Sequence, residues 1–196
     1  MKHMGRSHGM ATGVKAGAQA SQRKIIACIA TSVDGYIARC DGGVDWLNRP
    51  QPKGGYGMDV FARSIDTVLW GRKTYDFAVK MGGLGAYGNL EHYVFSREPP
   101  SDPPPEVEFV SGSIPEFVAR LRARKGKNIW MMGGASIIAS FLDSGAIDEF
   151  SIHVIPVMIG EGIPLVAPHH RNILLELISA RSFPDGVVHL NYTVRS

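Results

Sequence analysis

The apolar and polar positions of this chain alternate in short blocks, and the blocks change period from two to about four and back. Lys24–Ala30 (KIIACIA) is a continuous apolar run rich in β-branched residues, which predicts a buried strand. Thr67–Trp70, His92–Phe95, Glu106–Val110, Asn128–Met132 and Phe150–Met158 share that character. Between them lie helical patterns. Asp59–Ile65 places Phe61 and Ile65 four apart on one face, and a second helix should open after Gly71. A third begins at Ser113-Ile114-Pro115-Glu116 and runs to about Lys125. There Ser113 can cap free backbone N–H groups, Pro115 suits the first turn and Glu116 complements the positive end. Ala135–Leu142 is a fourth. The chain closes with strands at Leu174–Ser182 and Val187–Val194, joined by the turn Pro184-Asp185-Gly186. Loops are expected at 48–58, 81–90 and the proline-rich 98–105, and turns at Asp34-Gly35, Asp41-Gly42-Gly43 and Gly160-Glu161-Gly162.

Strand–helix alternation predicts an α/β domain with a mostly parallel sheet covered by helices on both faces. The closing pair adds an antiparallel hairpin at one edge, so the sheet is mixed. The 196 residues suit one domain, 23–196, preceded by a tail at 1–22 rich in Gly, Ala and Ser. That tail has no apolar stretch long enough for a secretory signal; an unstructured extension is expected, with an organellar transit peptide as the alternative.

Charge modifies this picture only slightly. Residues 1–24 hold Lys2, Arg6, Lys15, Arg23 and Lys24 and no acid, which leaves 16 basic against 18 acidic residues in the body. A basic stripe for nucleic acid is therefore not expected, nor is a membrane partner, since no run approaches the ~20 apolar residues of a span. Cys28 and Cys40 form no metal or redox spacing and demand no oxidising compartment, so a cytoplasmic location is expected. His169-His170 lacks the further ligands a metal site needs, and no metal is expected.

Familiar catalytic motifs are absent: no HExxH, GxSxG, P-loop or GxGxxG after the first strand. What stands out are strand ends marked by glycine. Gly71 follows a buried strand and precedes a helix, and Arg72, Lys73 and Thr74 add two cations and a hydroxyl beside the helix start. Such a start attracts anions, although a glycine-assisted turn with solvated basic residues gives the same pattern. Gly133-Gly134, followed by Ala135-Ser136, repeats the arrangement, and Ser96-Arg97 ends a third strand. Together they fit a ligand crevice at the carboxyl ends of parallel strands.

Four ordered segments carry a family resemblance: IATSVDGYIA (29–38) with Trp46-Leu47, SIDTVLWGRKTYD (64–76), WMMGGASIIASFLDSGAIDEF (130–150) and HVIPVMIGEGIPL (153–165). The chain resembles the dihydrofolate-reductase-like superfamily over about residues 24–195. The nearest branch holds the reductase half of the bifunctional riboflavin-biosynthesis deaminase–reductase. The resemblance implies a three-layer fold with NADPH across the sheet's carboxyl end. It implies that Ala30 and Thr31 meet the nicotinamide, that Asp34, Gly35 and Ile37 close over it, and that Trp46 stands at the mouth. Gly71, Arg72, Lys73 and Thr74 would hold phosphates, Ser96 and Arg97 the adenosine side. Gly133, Gly134, Ala135, Ser136 and Ile137 would wrap the pyrophosphate and ribose. Three cations near one phosphate favour NADPH over NADH.

The substrate is less sharply marked. Asp59 could be the acid that a folate reductase carries on its first helix, or simply an acidic residue in a first turn. No proline precedes Trp46, which departs from the folate enzymes. A ribose phosphate would need a cation such as Arg39, Lys53 or Arg63, and no zinc-deaminase motif is present. The expected activity is hydride transfer from NADPH to a small heterocyclic or sugar-derived substrate, with the 5-amino-6-(5-phosphoribosylamino)uracil reductase type as the candidate that the resemblance implies. The alternative is a non-catalytic nucleotide-binding or interaction protein with the same fold. A homodimer is expected, with the apolar segment His153–Leu165 as its candidate surface.

Overall fold

The computed structural model describes residues 22–195, so all of the expected tail except Gln22 lies outside the described residues. In chain order the elements are β1 (Ile25–Ser32), β2 (Tyr36–Ala38), α1 (Met58–Ser64), β3 (Ile65–Gly71) and α2 (Arg72–Lys80). Next come β4 (Glu91–Phe95), β5 (Val107–Val110), α3 (Ile114–Ala123), β6 (Asn128–Gly133) and α4 (Ala135–Asp143). Last are β7 (Glu149–Ile155), β8 (Ile163–Pro164), β9 (Leu175–Ser182) and β10 (Val188–Val194).

Eight strands form one sheet in the order β5-β4-β3-β6-β1-β7-β10-β9, and β2 pairs with β8 in a separate two-stranded sheet. The first six run parallel, while β10 is antiparallel to both β7 and β9. This is the α/β, mostly parallel mixed sheet with a closing hairpin that the pattern predicts. Successive side chains alternate between two layers. On one face Leu69, Ile129 and Met131 pack with α3 and α4 through Phe117, Leu121, Ile138 and Phe141. On the other, Val68, Trp70, Val94 and Trp130 pack with Tyr75 of α2 and Phe61 of α1. Cys28 sits in that second layer, and burial pushes its thiol up to about 12, so it is an inert core side chain.

Several boundaries differ from the sequence pattern for identifiable reasons. Helix α1 stops at Ser64, and Ile65 is already the first residue of β3. Phe61 and Ile65 still face one layer, which is why their spacing mimics a longer helix. Strand β7 ends at Ile155 because Pro156 follows and cannot donate to a ladder. The pair β2–β8 escapes any periodicity argument, since its strands are three and two residues long. Ser113 caps α3 as expected, its hydroxyl accepting from the Glu116 N–H at 3.4 Å.

Arg23 corrects the charge account. It is not part of a basic tail: it is 5% exposed, ion-paired with Asp66, and hydrogen-bonded to Thr67 and to the Lys127 and Leu121 carbonyls. Lys24 pairs with Glu149 at 2.5 Å. Only Lys2, Arg6 and Lys15 precede the folded body, which therefore carries 18 basic and 18 acidic residues.

Candidate functional site

The crevice follows from topology. The β3–α2–β4 connection leaves toward one edge of the sheet, and β6–α4–β7 leaves toward the other. With right-handed crossovers the two helices must lie on opposite faces, as they do. The neighbouring carboxyl ends of β3 and β6 are therefore left uncovered at a switch point.

Glycine brings these two ends together. A Cβ on Gly71 would stand 3.2 Å from Ile137 Cγ2, 3.3 Å from the Gly133 oxygen and 3.4 Å from the Gly134 nitrogen. A Cβ on Gly134 would stand 3.1 Å from the Thr74 hydroxyl and 3.8 Å from Ile37 Cδ1. Gly133 has φ of 107°, a conformation that favours glycine, and the Gly133–Gly134 peptide is cis. Six expected residues, Ile37, Gly71, Thr74, Gly133, Gly134 and Ile137, thus meet at one point. Helices α2 and α4 both begin there, and neither start carries a side-chain cap among the described residues. Their first N–H groups aim the positive ends of two dipoles into the crevice. Ala135 is buried and Ser136 exposed at the start of α4.

The cations stand to one side. The Arg72 guanidinium is held by Asp76 at 2.9 and 3.0 Å, lies over the Phe109 ring, and reaches the Glu98 carbonyl at 3.4 Å. Arg72 is thereby joined to the turn that carries Ser96 and Arg97, in which the Ser96 hydroxyl bonds the Glu98 backbone. Lys73 and Arg97 are exposed. Asp76 offsets one positive charge of this group, a feature not anticipated from the sequence.

The loop after β1 is latched. Asp34 accepts from the Ile159 N–H at 3.2 Å and the Gly160 N–H at 2.8 Å. A Ser32 hydrogen bond and then these backbone donors hold its carboxyl below the usual range. The Leu165 N–H donates to the Gly35 oxygen at 3.0 Å, so Asp34 and Gly35 are tied to the segments before and after β8, and the β2–β8 pairing holds the residues that follow. Thr31 is buried, and Ala30 packs with Trp46, Leu47, Tyr56 and Phe183. The Trp46 indole nitrogen is buried without a partner among the described residues.

Beside Ala30 lies a group of side chains that sequence reasoning passed over. Ala30, His153 and His189 are register neighbours across β1, β7 and β10. The two imidazoles stack with centroids 4.0 Å apart, and the Ser151 hydroxyl meets His189 Nε2 at 2.7 Å. His153 Nε2 donates to the Tyr56 carbonyl at 3.3 Å, which leaves Nδ1 as the acceptor nitrogen. Burial, and then the neighbouring His189, push His153 down to about 4. The Tyr56 hydroxyl donates to Asp185 at 2.5 Å, and Arg49 binds the Asp185 carbonyl at 2.8 Å. Tyr56 has φ of 60°, the only non-glycine residue with positive φ among those described, and such strain concentrates where geometry is over-determined. The available signal was the pair of histidines at matching positions of two strands, but it requires the register.

The remaining candidates lie apart. Asp59 is exposed in the first turn of α1, 3.5 Å from Arg63 and close to the Gly54 backbone. Arg39 is taken up by Asp45 at 2.6 and 2.9 Å, and Lys53 is exposed. Among the described residues no cluster of His, Cys, Asp or Glu could hold a metal, and no helix is long and apolar enough to cross a membrane.

Residues 23–189 match the RibD C-terminal domain family. The protein YwjB of Bacillus subtilis strain 168, itself described as uncharacterized, is 39% identical over 166 residues, covering 85% of this chain and 95% of its own. A solved structure from Shewanella sp. PV-4, named for riboflavin biosynthesis, superposes with a TM-score of 0.78 at 29% identity, over 88% of this chain and 99% of that one. Dihydrofolate reductase from Enterococcus faecalis, solved with NADP(H), shares the fold with a TM-score of 0.64 at 14% identity, over 89% and 98% of the two chains.

Proposed function

Because the chain belongs to the RibD C-terminal domain family, we propose that it is an NADPH-dependent reductase of the dihydrofolate-reductase-like type. The observation that carries this reading is the meeting of Gly71, Thr74 and Gly133-Gly134 at two uncapped helix starts. The residues fit a dinucleotide: a Cβ at either Gly71 or Gly134 would fill space against backbone or the Thr74 hydroxyl, and bare N–H groups suit a pyrophosphate.

In this reading the α2 and α4 N–H groups and Thr74 bind the pyrophosphate, and Arg72, Lys73 and Arg97 bind the additional phosphate of NADPH. Ala30 and Thr31 orient the nicotinamide at the end of β1, and the Asp34-latched loop with Trp46 excludes water. The bound cofactor supplies hydride. The chain's own part is position and electrostatics. The substrate is proposed to lie over Ala30, against the His153–Tyr56–Asp185 group, and to be a small heterocycle or sugar derivative of the 5-amino-6-(5-phosphoribosylamino)uracil type. Asp59 is proposed to supply the proton, directly or through solvent.

The test is a fluorescence titration with NADPH and NADH, followed by oxidation assays across aminouracil ribityl compounds, pterins and small carbonyls. NADPH should bind at least about tenfold more tightly, a difference of about 1.4 kcal/mol. The pair Arg72→Ala and Lys73→Ala should remove that preference. Asp59→Asn should lower kcat and leave NADPH affinity unchanged. No NADPH binding would sink the reading. Binding without turnover on any substrate would favour the non-catalytic alternative.

A further inference from the structure

Three cations edge the crevice, and one of them is fixed. Lys73 and Arg97 are exposed. Arg72 opens α2, and its guanidinium is gripped on three sides. Its Nε donates to both Asp76 oxygens, at 2.9 and 3.0 Å. Its Nη1 reaches the Glu98 carbonyl at 3.4 Å. Its plane lies over the Phe109 ring, 5.6 Å from the centroid. That ring is held in turn by Tyr75, edge-on at 5.7 Å, and Tyr75 is the buried residue of the same helix. Nη2 has no partner among the described residues.

Helix stability does not account for the Arg72–Asp76 pair. A cation in the first turn meets the positive end of the helix dipole, and a cation four residues before an acid is the weaker order of such a pair. The two side chains are 40 and 43% exposed, a setting in which an ion pair adds little to folding. What the pair does fix is direction. A guanidinium has five N–H donors in a planar fork. With Nε taken by Asp76, the edge formed by Nη1 and Nη2 is the side left to meet two oxygens of one phosphate.

We infer that Asp76 is a positioning residue for cofactor selection, which sets Arg72 to grip the phosphate that distinguishes NADPH from NADH. The inference rests on the proposed cofactor site and adds to it the residue that makes the site selective. An unheld arginine gives up rotamer freedom when it closes on a phosphate, whereas Arg72 has given it up beforehand. Lys73 and Arg97 supply charge without direction, and salt screens them. The sign of the effect is diagnostic. The Asp76 carboxylate repels a phosphate, so by charge alone it would disfavour NADPH. It favours NADPH only by holding Arg72 in place.

The test is a titration of each variant with NADPH and NADH at one salt concentration. Asp76→Ala should weaken NADPH binding about three- to tenfold and leave NADH within about twofold of the wild type. Asp76→Asn should keep or exceed the wild-type preference, because its amide oxygen still accepts from Nε while the repulsion is gone. In an Arg72→Ala background, Asp76→Ala should change neither affinity, since the two residues act as one unit. Tighter NADPH binding by Asp76→Ala would make Asp76 a competing anion and overturn the inference. So would an equal loss for both cofactors, a failure of Asp76→Asn to restore the preference, or an effect that persists without Arg72. A wild type that prefers NADPH, with Asp76→Ala unaffected, overturns this inference alone. A wild type that binds no NADPH overturns the cofactor reading and this inference with it.

Discussion

The β3–β6 crevice and the wall formed by β7 and β10 are neighbours made from different materials. The crevice is built on backbone: Gly71, Gly133 and Gly134 approach so closely that a Cβ at Gly71 would fall 3.3–3.4 Å from the Gly133 and Gly134 backbone, and one at Gly134 would fall 3.1 Å from the Thr74 hydroxyl. The wall is mainly side chain, a row of Ser151, His153, His189, Tyr56, Asp185 and Arg49 joined by ring stacking and by hydrogen bonds, two of which end on the Tyr56 and Asp185 carbonyls. A backbone site can take a ligand through N–H groups whose positions every later substitution on the surface leaves alone. A side-chain site can be re-cut for a different ligand without moving a strand. On the proposed function, the difference suits a cofactor pocket that stays constant and a substrate pocket that varies.

This contrast can be broken most severely at the crevice. Gly134→Val should weaken NADPH binding at least about 100-fold, or about 2.7 kcal/mol, because the new methyl groups meet Thr74 and occupy the cradle. A fluorescence titration checks this, and a wild-type affinity would show that the crevice is not the cofactor site. The wall should respond to pH. Folded His153 titrates near 4, well below the ordinary value of 6.5, so between these values the unfolded chain binds more protons than the folded one. Stability from this group is therefore complete above pH 6.5 and is lost as pH falls toward 4, by about 2 kcal/mol after allowing for partial screening. Thermal melts of the wild type and His153→Gln across that window should converge at low pH. Parallel curves would place the titration elsewhere.

A smaller effect sharpens the division. Tyr56→Phe removes the hydroxyl bonded to Asp185 and should cost about 1 kcal/mol, measured by urea denaturation. It should raise KM for the substrate while NADPH affinity holds. An equal loss of both would mean that crevice and wall act as one unit. The smallest effect is expected at the latch. Asp34→Asn weakens the bonds to Ile159 and Gly160 and should raise the dissociation rate of NADPH a few-fold, read by stopped flow.

The same contrast explains what could be read from the residues alone. A backbone site needs glycine at strand ends, and glycine followed by a helix start is visible along the chain, as at Gly71 and Gly133-Gly134. Ser113 was equally visible, because capping acts over three residues. The wall is invisible without the sheet, since His153 and His189 are 36 positions apart and meet only through the β7–β10 register. The sequence marks Arg72 as a phosphate cation, but its partner Asp76 lies one helical turn on and claims part of its charge. Asp59 fits the first turn of a helix as well as it fits a proton donor, because an exposed acid beside Arg63 carries the same sequence signal in either role. Phe61 and Ile65 show a spacing rule satisfied across a boundary between two elements.

Arg23 sets a practical limit on how the chain can be trimmed. Its guanidinium is the rivet through three separate stretches of sequence, at Asp66-Thr67, Leu121 and Lys127. A shortened version that begins at Gln22 keeps the rivet. One that begins at Lys24 discards it and leaves the Asp66 carboxylate facing the hole where it sat. Two residues of difference at the cut therefore separate a sound truncation from a loosened one.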